Sequence, residues 1–179
     1  MDETFKTAAG ALEESGVRFL LGGGFAVNVH GFERGTKDID LLVSEMDRDR
    51  ANDALLGVGF TALRSVDIVT RYQPPSGILL VVDILPLDPK TFDAMWADGL
   101  DRHMAGSKVR VVGIDHLLAM KLHAMKHDNM VRGLKDLLDI AALARANNLA
   151  PDSDRLRDLC LQFGSQSILE SVRKALQDA

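Results

Sequence analysis

Cysteine is almost absent: Cys160 is the only one, so neither an internal disulfide framework nor a thiolate metal cage can form. A reducing, cytoplasmic setting is expected from that usage. Aromatic residues make up only 5%, too few for the base-stacking platforms of single-strand binders. Basic residues do not dominate, since 21 Lys and Arg face 26 Asp and Glu for a net charge of −5. A protein that coats nucleic acid through general basicity is thereby excluded, although local basic sites are not. No apolar run approaches the roughly 20 residues of a membrane span, so no membrane partner is expected. The opening Met1-Asp2-Glu3-Thr4 is acidic and polar, and no signal peptide is expected there. What is present is a chain of 179 residues that is 46% apolar, enough for one ordinary core with a small appended subdomain.

The spacing of Phe5, Ala8, Ala9 and Leu12 predicts a helix over 2–15, stopped by Gly16. Residues 17–21 read as a strand, and after Gly22-Gly23-Gly24 a helix resumes over 25–30. Residues 37–43 alternate as a strand, with Asp38, Asp40 and Leu42 on one face and Ile39, Leu41 and Val43 on the other. Helical spacing returns over 47–56. Strands are predicted over 60–63, 68–72, 78–85 and 109–112, with Pro74-Pro75-Ser76-Gly77 as a turn. From Ile114 the pattern is helical to the end, broken near 127–130, at 147–153 and around Gly164. The expectation is an α/β (α+β) protein: a mixed lobe over 1–112, with a small mixed sheet flanked by helices, and a helical lobe over 113–179. Between Arg102 and Arg145 cations outnumber acids, and His103, His116, His123 and His127 fall there too. That asymmetry suggests cations presented toward an anion, though a solvated surface accounts for it equally.

Asp38 and Asp40 leave the same face of one strand, with Cα atoms roughly 6.6 Å apart. Two carboxylates at that spacing can converge on hard cations such as magnesium. Two solvated acids at an exposed strand end are the plain alternative. The glycines add weight: strand, consecutive glycines and helix present bare amides at a helix start, which suits a phosphate. Other glycine motifs fit poorly, because Val27 stands where a dinucleotide fingerprint needs glycine or alanine, and no Gly-Lys-Ser/Thr follows. Asp83 interrupts the apolar run Ile78-Leu79-Leu80-Val81-Val82, and an acid there needs a cation or strong donors. Asp67 and Asp88 are fallback acids in more polar surroundings. Lys121 falls within the apolar stripe of Ile114, Leu117, Leu118 and Met125, where it needs an anion, a structural ion pair or an escape route for its ammonium.

Taken together, Gly23-Gly24-x-Ala26, His30-Gly31, Arg34, Thr36 and Asp38-Ile39-Asp40 resemble the core motif of the nucleotidyltransferase superfamily, the polymerase-beta-like fold. Within it the chain looks most similar to the bacterial branch of AbiEii-type toxins and small uncharacterised nucleotidyltransferases. The resemblance covers 17–43 well, and Asp83 and 121–139 more loosely. It implies magnesium-dependent transfer of a nucleoside monophosphate from an NTP such as ATP to an acceptor hydroxyl, with release of pyrophosphate. Asp38, Asp40 and Asp83 would be both catalytic and metal-binding, holding two Mg2+ ions roughly 3.5–4 Å apart in the cleft between the lobes. Gly23, Gly24, Arg34, Thr36, Lys121 and Asp136 would bind the nucleotide. The acceptor, whether tRNA, protein or small molecule, is not legible. A cognate partner protein of a toxin–antitoxin pair is a further implication; a noncatalytic, antitoxin-like module of the same fold is the alternative, and an antibiotic-modifying enzyme of the same chemistry is a weaker one.

Arg132, Lys135, Asp136 and Asp139 would share a polar helix face, as Arg132–Asp136 and Lys135–Asp139 pairs. A solvated face accounts for them as well as an active-site role for Asp136 does. His123 and His127 have the spacing of a zinc helix, but Ala124 replaces its glutamate and no third ligand is evident. Gly164-Ser165-Gln166-Ser167 lacks the closing glycine of a nucleophile elbow. Cys160, between Leu159 and Leu161, is most simply a core residue.

Overall fold

The computed structural model describes residues 2–66, 68–75, 80–104, 106–127 and 130–177, with the backbone alone for Asp2 and for 130–132. Met1, Asp67, Ser76, Gly77, Ile78, Leu79 and the Arg132 side chain, all named above, lie outside the described residues, and with them the second half of the predicted 74–77 turn. Two compact units emerge, Met1–Ala26 with Gly35–Gly113 and Val27–Arg34 with Ile114–Ala179.

In chain order the first unit holds α1 (Asp2–Glu14), β1 (Phe19–Leu21), the start of α2 (Gly23–Val29), β2 (Asp38–Ser44), α3 (Arg48–Gly57), β3 (Thr61–Val66), β4 (Val69–Gln73), β5 (Val81–Leu87), α4 (Pro89–Ala97), β6 (Leu100–Met104) and β7 (Ser107–Val111). Among the described residues these strands form one seven-stranded mixed sheet, ordered β3-β4-β5-β2-β1-β7-β6. The pairs β2–β5 and β1–β7 are parallel, and the others are antiparallel. The α+β expectation holds.

The middle of the sheet is the core of this unit. Ile39, Leu41, Leu42, Val43, Val82 and Ile84 are buried on β2 and β5, and α3 and α4 pack on β2. Each such side chain contributes on the order of 1.5–3 kcal/mol by leaving water. Parallel strands covered on both faces read as continuous apolar runs. That explains why the alternation predicted for 37–43 survives only at its start: Leu42 shares a face with Asp38 and Asp40 yet is buried. The acids lie at the open end of an otherwise closed strand.

Helix α4 and strand β6 form over residues for which the sequence pattern predicts no element. Asp88 accepts a hydrogen bond from the Thr91 backbone N–H at 3.0 Å and Pro89 opens the first turn, so local capping nucleates α4. The Thr91 hydrogen bonds hold the Asp88 carboxyl below its ordinary pKa. Asp88 is thus a helix cap. On β6 the exposed Asp101, Arg102 and His103 suit a sheet edge, where charge discourages pairing with other chains.

The second unit packs α5 (Ile114–His127), α6 (Met130–Ala146), α7 (Asp154–Phe163) and α8 (Gln166–Gln177). Its core includes Leu117, Leu118, Leu122, Ile140, Leu143, Leu156, Leu169 and Val172. Cys160 is buried there, and burial pushes its thiol up to about 11, so it stays protonated and inert at neutral pH. No helix among the described residues is long and apolar enough to cross a membrane.

Candidate active site

Register brings three carboxylates and one guanidinium into a row across the sheet. Asp40 on β2 lies opposite Asp83 on β5, and Asp83 lies opposite Arg71 on β4. Partners in register project from the same face, as do Asp38 and Asp40 two residues apart. Arg71 donates from Nε and Nη2 to the two oxygens of Asp83, at 2.8 and 2.6 Å. Its Nη2 also lies 3.9 Å from Asp38 Oδ2. The Asp83 hydrogen bond is the chief reason the Arg71 guanidinium is held even more firmly protonated than usual, with Asp38 and Asp40 adding to it. Asp83 therefore has the strong donors that its apolar strand demanded, and they come from an arginine the sequence did not single out.

Two neighbouring elements shape the β2 end of this row. Thr36 donates its hydroxyl to Asp38 Oδ1 at 2.8 Å and so orients that carboxylate. Gly22 donates its backbone N–H to the Asp40 carbonyl at 2.9 Å, which draws the glycine turn against β2. Gly23 has φ +53°, and a Cβ there would lie 1.6 Å from Asp40 Oδ2. Glycine is thus required where the Asp40 side chain meets the turn, and Gly24 is buried. Gly23→Ala is expected to lower stability by about 1–3 kcal/mol and to displace Asp40. Gly10→Ala, with open space on α1, serves as the control and should be neutral or stabilising. Thermal melts of the two variants check this, and equal melting temperatures would show that β2 yields freely.

The helical unit gathers a second set. Lys121 on α5 donates from Nζ to Asp136 Oδ1 at 2.9 Å and to Asp139 Oδ2 at 2.6 Å. Arg34 donates from Nε and Nη2 to the two oxygens of Asp139, at 2.6 and 2.7 Å. The Arg34 backbone is pinned in turn, because Asn28 receives its N–H and donates to its carbonyl, each at 3.0 Å. Burial pushes the Asp139 carboxyl up, but the hydrogen bonds from Arg34 and Lys121 outweigh it and hold the group below its ordinary pKa. Asp136 and Asp139 are both buried on the face of α6 toward α5, not on a solvated face paired to Lys135. Lys121 is likewise buried and not presented outward, so the cation excess of this segment is partly internal. Three residues named from the resemblance thus meet in one network. Its hub, Asp139, could have been found from its spacing of three residues from Asp136, which puts both on one helix face.

A sequence profile described as an uncharacterised nucleotidyltransferase matches residues 2–178. The chain belongs to this nucleotidyltransferase family. It is by that membership a transferase. Among solved structures it is similar to the antibiotic-resistance factor ANT(2'')-Ia, at 17% identity over 99% of this chain and 94% of that one, with a TM-score of 0.59. A second structure of ANT(2'')-Ia, in complex with adenylyl-2''-tobramycin, matches at 15% identity over 98% and 95%, with a TM-score of 0.56. The lincosamide antibiotic adenylyltransferase LnuA, lincomycin-bound, matches at 14% identity over 82% and 98%, with a TM-score of 0.56. At these identities the likeness speaks for the nucleotidyltransferase fold alone. No curated protein matches the sequence.

Members of such families generally use divalent metals, and the row of acids fits one in charge and in donor type. Among the described residues no three His, Cys, Asp or Glu side chains are drawn together as ligands, and Asp83 turns both oxygens to Arg71. Yet Asp38, Asp40 and Asp83 place like charges on one sheet face, which favours cations among them. Carboxylate oxygens are the donors that magnesium prefers. Arg71 already bridges β5 and β2 as a cation between two of the acids.

Proposed function

We propose that the chain transfers a nucleoside monophosphate from a nucleoside triphosphate to an acceptor hydroxyl. The acceptor oxygen bonds to the α-phosphorus, the bond to the pyrophosphate oxygen breaks, and the hydroxyl proton passes to Asp83. The observation that carries this reading is the set of carboxylates Asp38, Asp40 and Asp83 on one face of the sheet, at the open end of a buried strand pair. Those residues would hold two Mg2+ ions, which when bound neutralise charge on the transferring group and acidify the acceptor hydroxyl. Thr36 keeps Asp38 oriented, and Gly23 gives Asp40 room to lie against the turn. With positioning and charge neutralisation supplied, no covalent nucleophile is needed.

Nucleotide contacts by Gly23, Gly24, Arg34, Thr36, Lys121 and Asp136 rest on the resemblance. Arg34 and Lys121 are engaged with Asp136 and Asp139, so a phosphate would take over an existing ion pair. The similarity to AbiEii-type enzymes bears on Lys121 and Asp136 and, through them, on a toxin–antitoxin setting with a cognate partner. The names of the solved neighbours bring small hydroxylated antibiotics into the same reading as acceptors, beside tRNA ends and protein hydroxyls. A cytoplasmic setting belongs to it as well, on the single buried cysteine.

The test is incubation with each α-labelled NTP and Mg2+, against tRNA, cell-extract protein, an aminoglycoside and a lincosamide. Label is expected in one acceptor fraction. Asp83→Asn should keep most of the NTP-dependent rise in melting temperature while transfer collapses, because binding and proton transfer are separate duties. NTP binding with no labelled acceptor in any fraction would identify a noncatalytic, antitoxin-like module instead. Transfer at the wild-type rate by Asp83→Asn would make Asp83 a structural acid.

A further inference from the structure

Arg71 stands among the acids without a role in the reaction as described. Its position is dictated by register: β4 pairs antiparallel with β5 so that Arg71 faces Asp83, and β5 pairs with β2 so that Asp83 faces Asp40. Both oxygens of Asp83 receive a hydrogen bond from it, in the bidentate fork that only arginine forms. The third contact, to Asp38, crosses to β2. A guanidinium so placed occupies the position of a cation shared between the third carboxylate and the first.

The two partners differ sharply in what separation would mean. The Asp83 side chain is only 8% exposed, so without a counter-charge it would be a buried, uncompensated carboxylate. The Arg71 side chain is 45% exposed, and its flexible stem lets the guanidinium move into water at little penalty. As a carboxylate Asp83 needs a cation, but that cation need not be Arg71.

We propose that Arg71 is the built-in counter-cation of the acid row, neutralising Asp83 in the metal-free protein and competing with a divalent cation for it. Asp83 joins a metal site only when Arg71 swings out to solvent. The inference rests on the magnesium reading of Asp38, Asp40 and Asp83. It assigns Arg71 as a positioning residue that acts through Asp83 and sets how readily the third carboxylate becomes a ligand.

The experiment titrates Mn2+ alone, without nucleotide, into wild type, Arg71→Gln, Arg71→Lys and Asp40→Asn, following free Mn2+ by electron paramagnetic resonance. Melting temperatures are measured in EDTA and in excess Mn2+. Arg71→Gln is expected to bind Mn2+ on the order of tenfold more tightly, the equivalent of one charge-assisted hydrogen bond no longer competing. It should melt lower than wild type in EDTA and gain more from Mn2+. Arg71→Lys keeps the charge but not the fork, and its Mn2+ affinity should lie between the two. Equal affinity in wild type and Arg71→Gln, or weaker affinity in Arg71→Gln, overturns the inference. Arg71→Lys indistinguishable from wild type overturns it too, since the effect would then be net charge and not competition for the Asp83 oxygens. Should Arg71→Gln fail to fold, the Arg71→Lys comparison decides alone. Asp40→Asn separates the two failures: if it leaves Mn2+ binding unchanged, the acid row is not the metal site and both readings fall.

Discussion

Asp40→Asn and Asp38→Asn are each expected to lower nucleotidyl transfer by at least about 10²–10³-fold, the usual loss when one preorganised charge stabiliser is removed. Neither change should unfold the protein. Asparagine is nearly isosteric with aspartate, Asp38 and Asp40 are only half-buried, and an amide oxygen can still accept the Thr36 hydroxyl that now bonds Asp38. Each variant also removes one negative charge from a sheet face that carries Asp38, Asp40 and Asp83 together. Melting temperatures in metal-free buffer should therefore hold or rise. Quantifying labelled acceptor and melting temperature on the same preparations checks both halves. Transfer at the wild-type rate by either variant would remove β2 from the chemistry.

Lys121→Met is expected to destabilise the helical unit by about 3–5 kcal/mol, as stripping the partner from a buried ion pair does. Methionine matches the apolar stripe in shape, but it leaves Asp136 without Lys121 and Asp139 with Arg34 alone. Asp139 is 1% exposed, so water cannot substitute for the lost ammonium. The pH dependence follows from its depressed pKa. The contribution of Asp139 is fully present above the ordinary carboxylate value of about 3.9 and fades as pH falls through its lower folded value. In the variant one of the two depressing partners is gone, so that acid loss should begin at higher pH. Denaturant melts of both proteins between neutral and strongly acidic pH measure this. NTP titration of the folded fraction adds the functional half: unchanged affinity confines Lys121 to a structural role, whereas weakened affinity gives the ammonium a phosphate to hold.

The α+β class, the order of helices and strands over most of the chain, and the acids Asp38 and Asp40 were legible in the residues themselves. The reason is local: period-2 alternation, helical spacing and glycine punctuation express themselves within a few residues. Asp83 was legible because a charge in an apolar strand is anomalous wherever that strand ends up. Tertiary structure alone decided the partners. That Asp83 meets Arg71 depends on β4 pairing with β5 in one register, and a slip of a single residue would turn Arg71 to the opposite face. That Asp139 gathers Lys121 and Arg34 depends on contacts across 18 and 105 residues, which no local pattern encodes. The cap at Asp88 was not legible for a related reason, since an aspartate before Pro89 reads the same whether it caps a helix or binds a cation. Hydrophobic and conformational preferences are written position by position, whereas the pairing of charges is a property of the assembled sheet and helices.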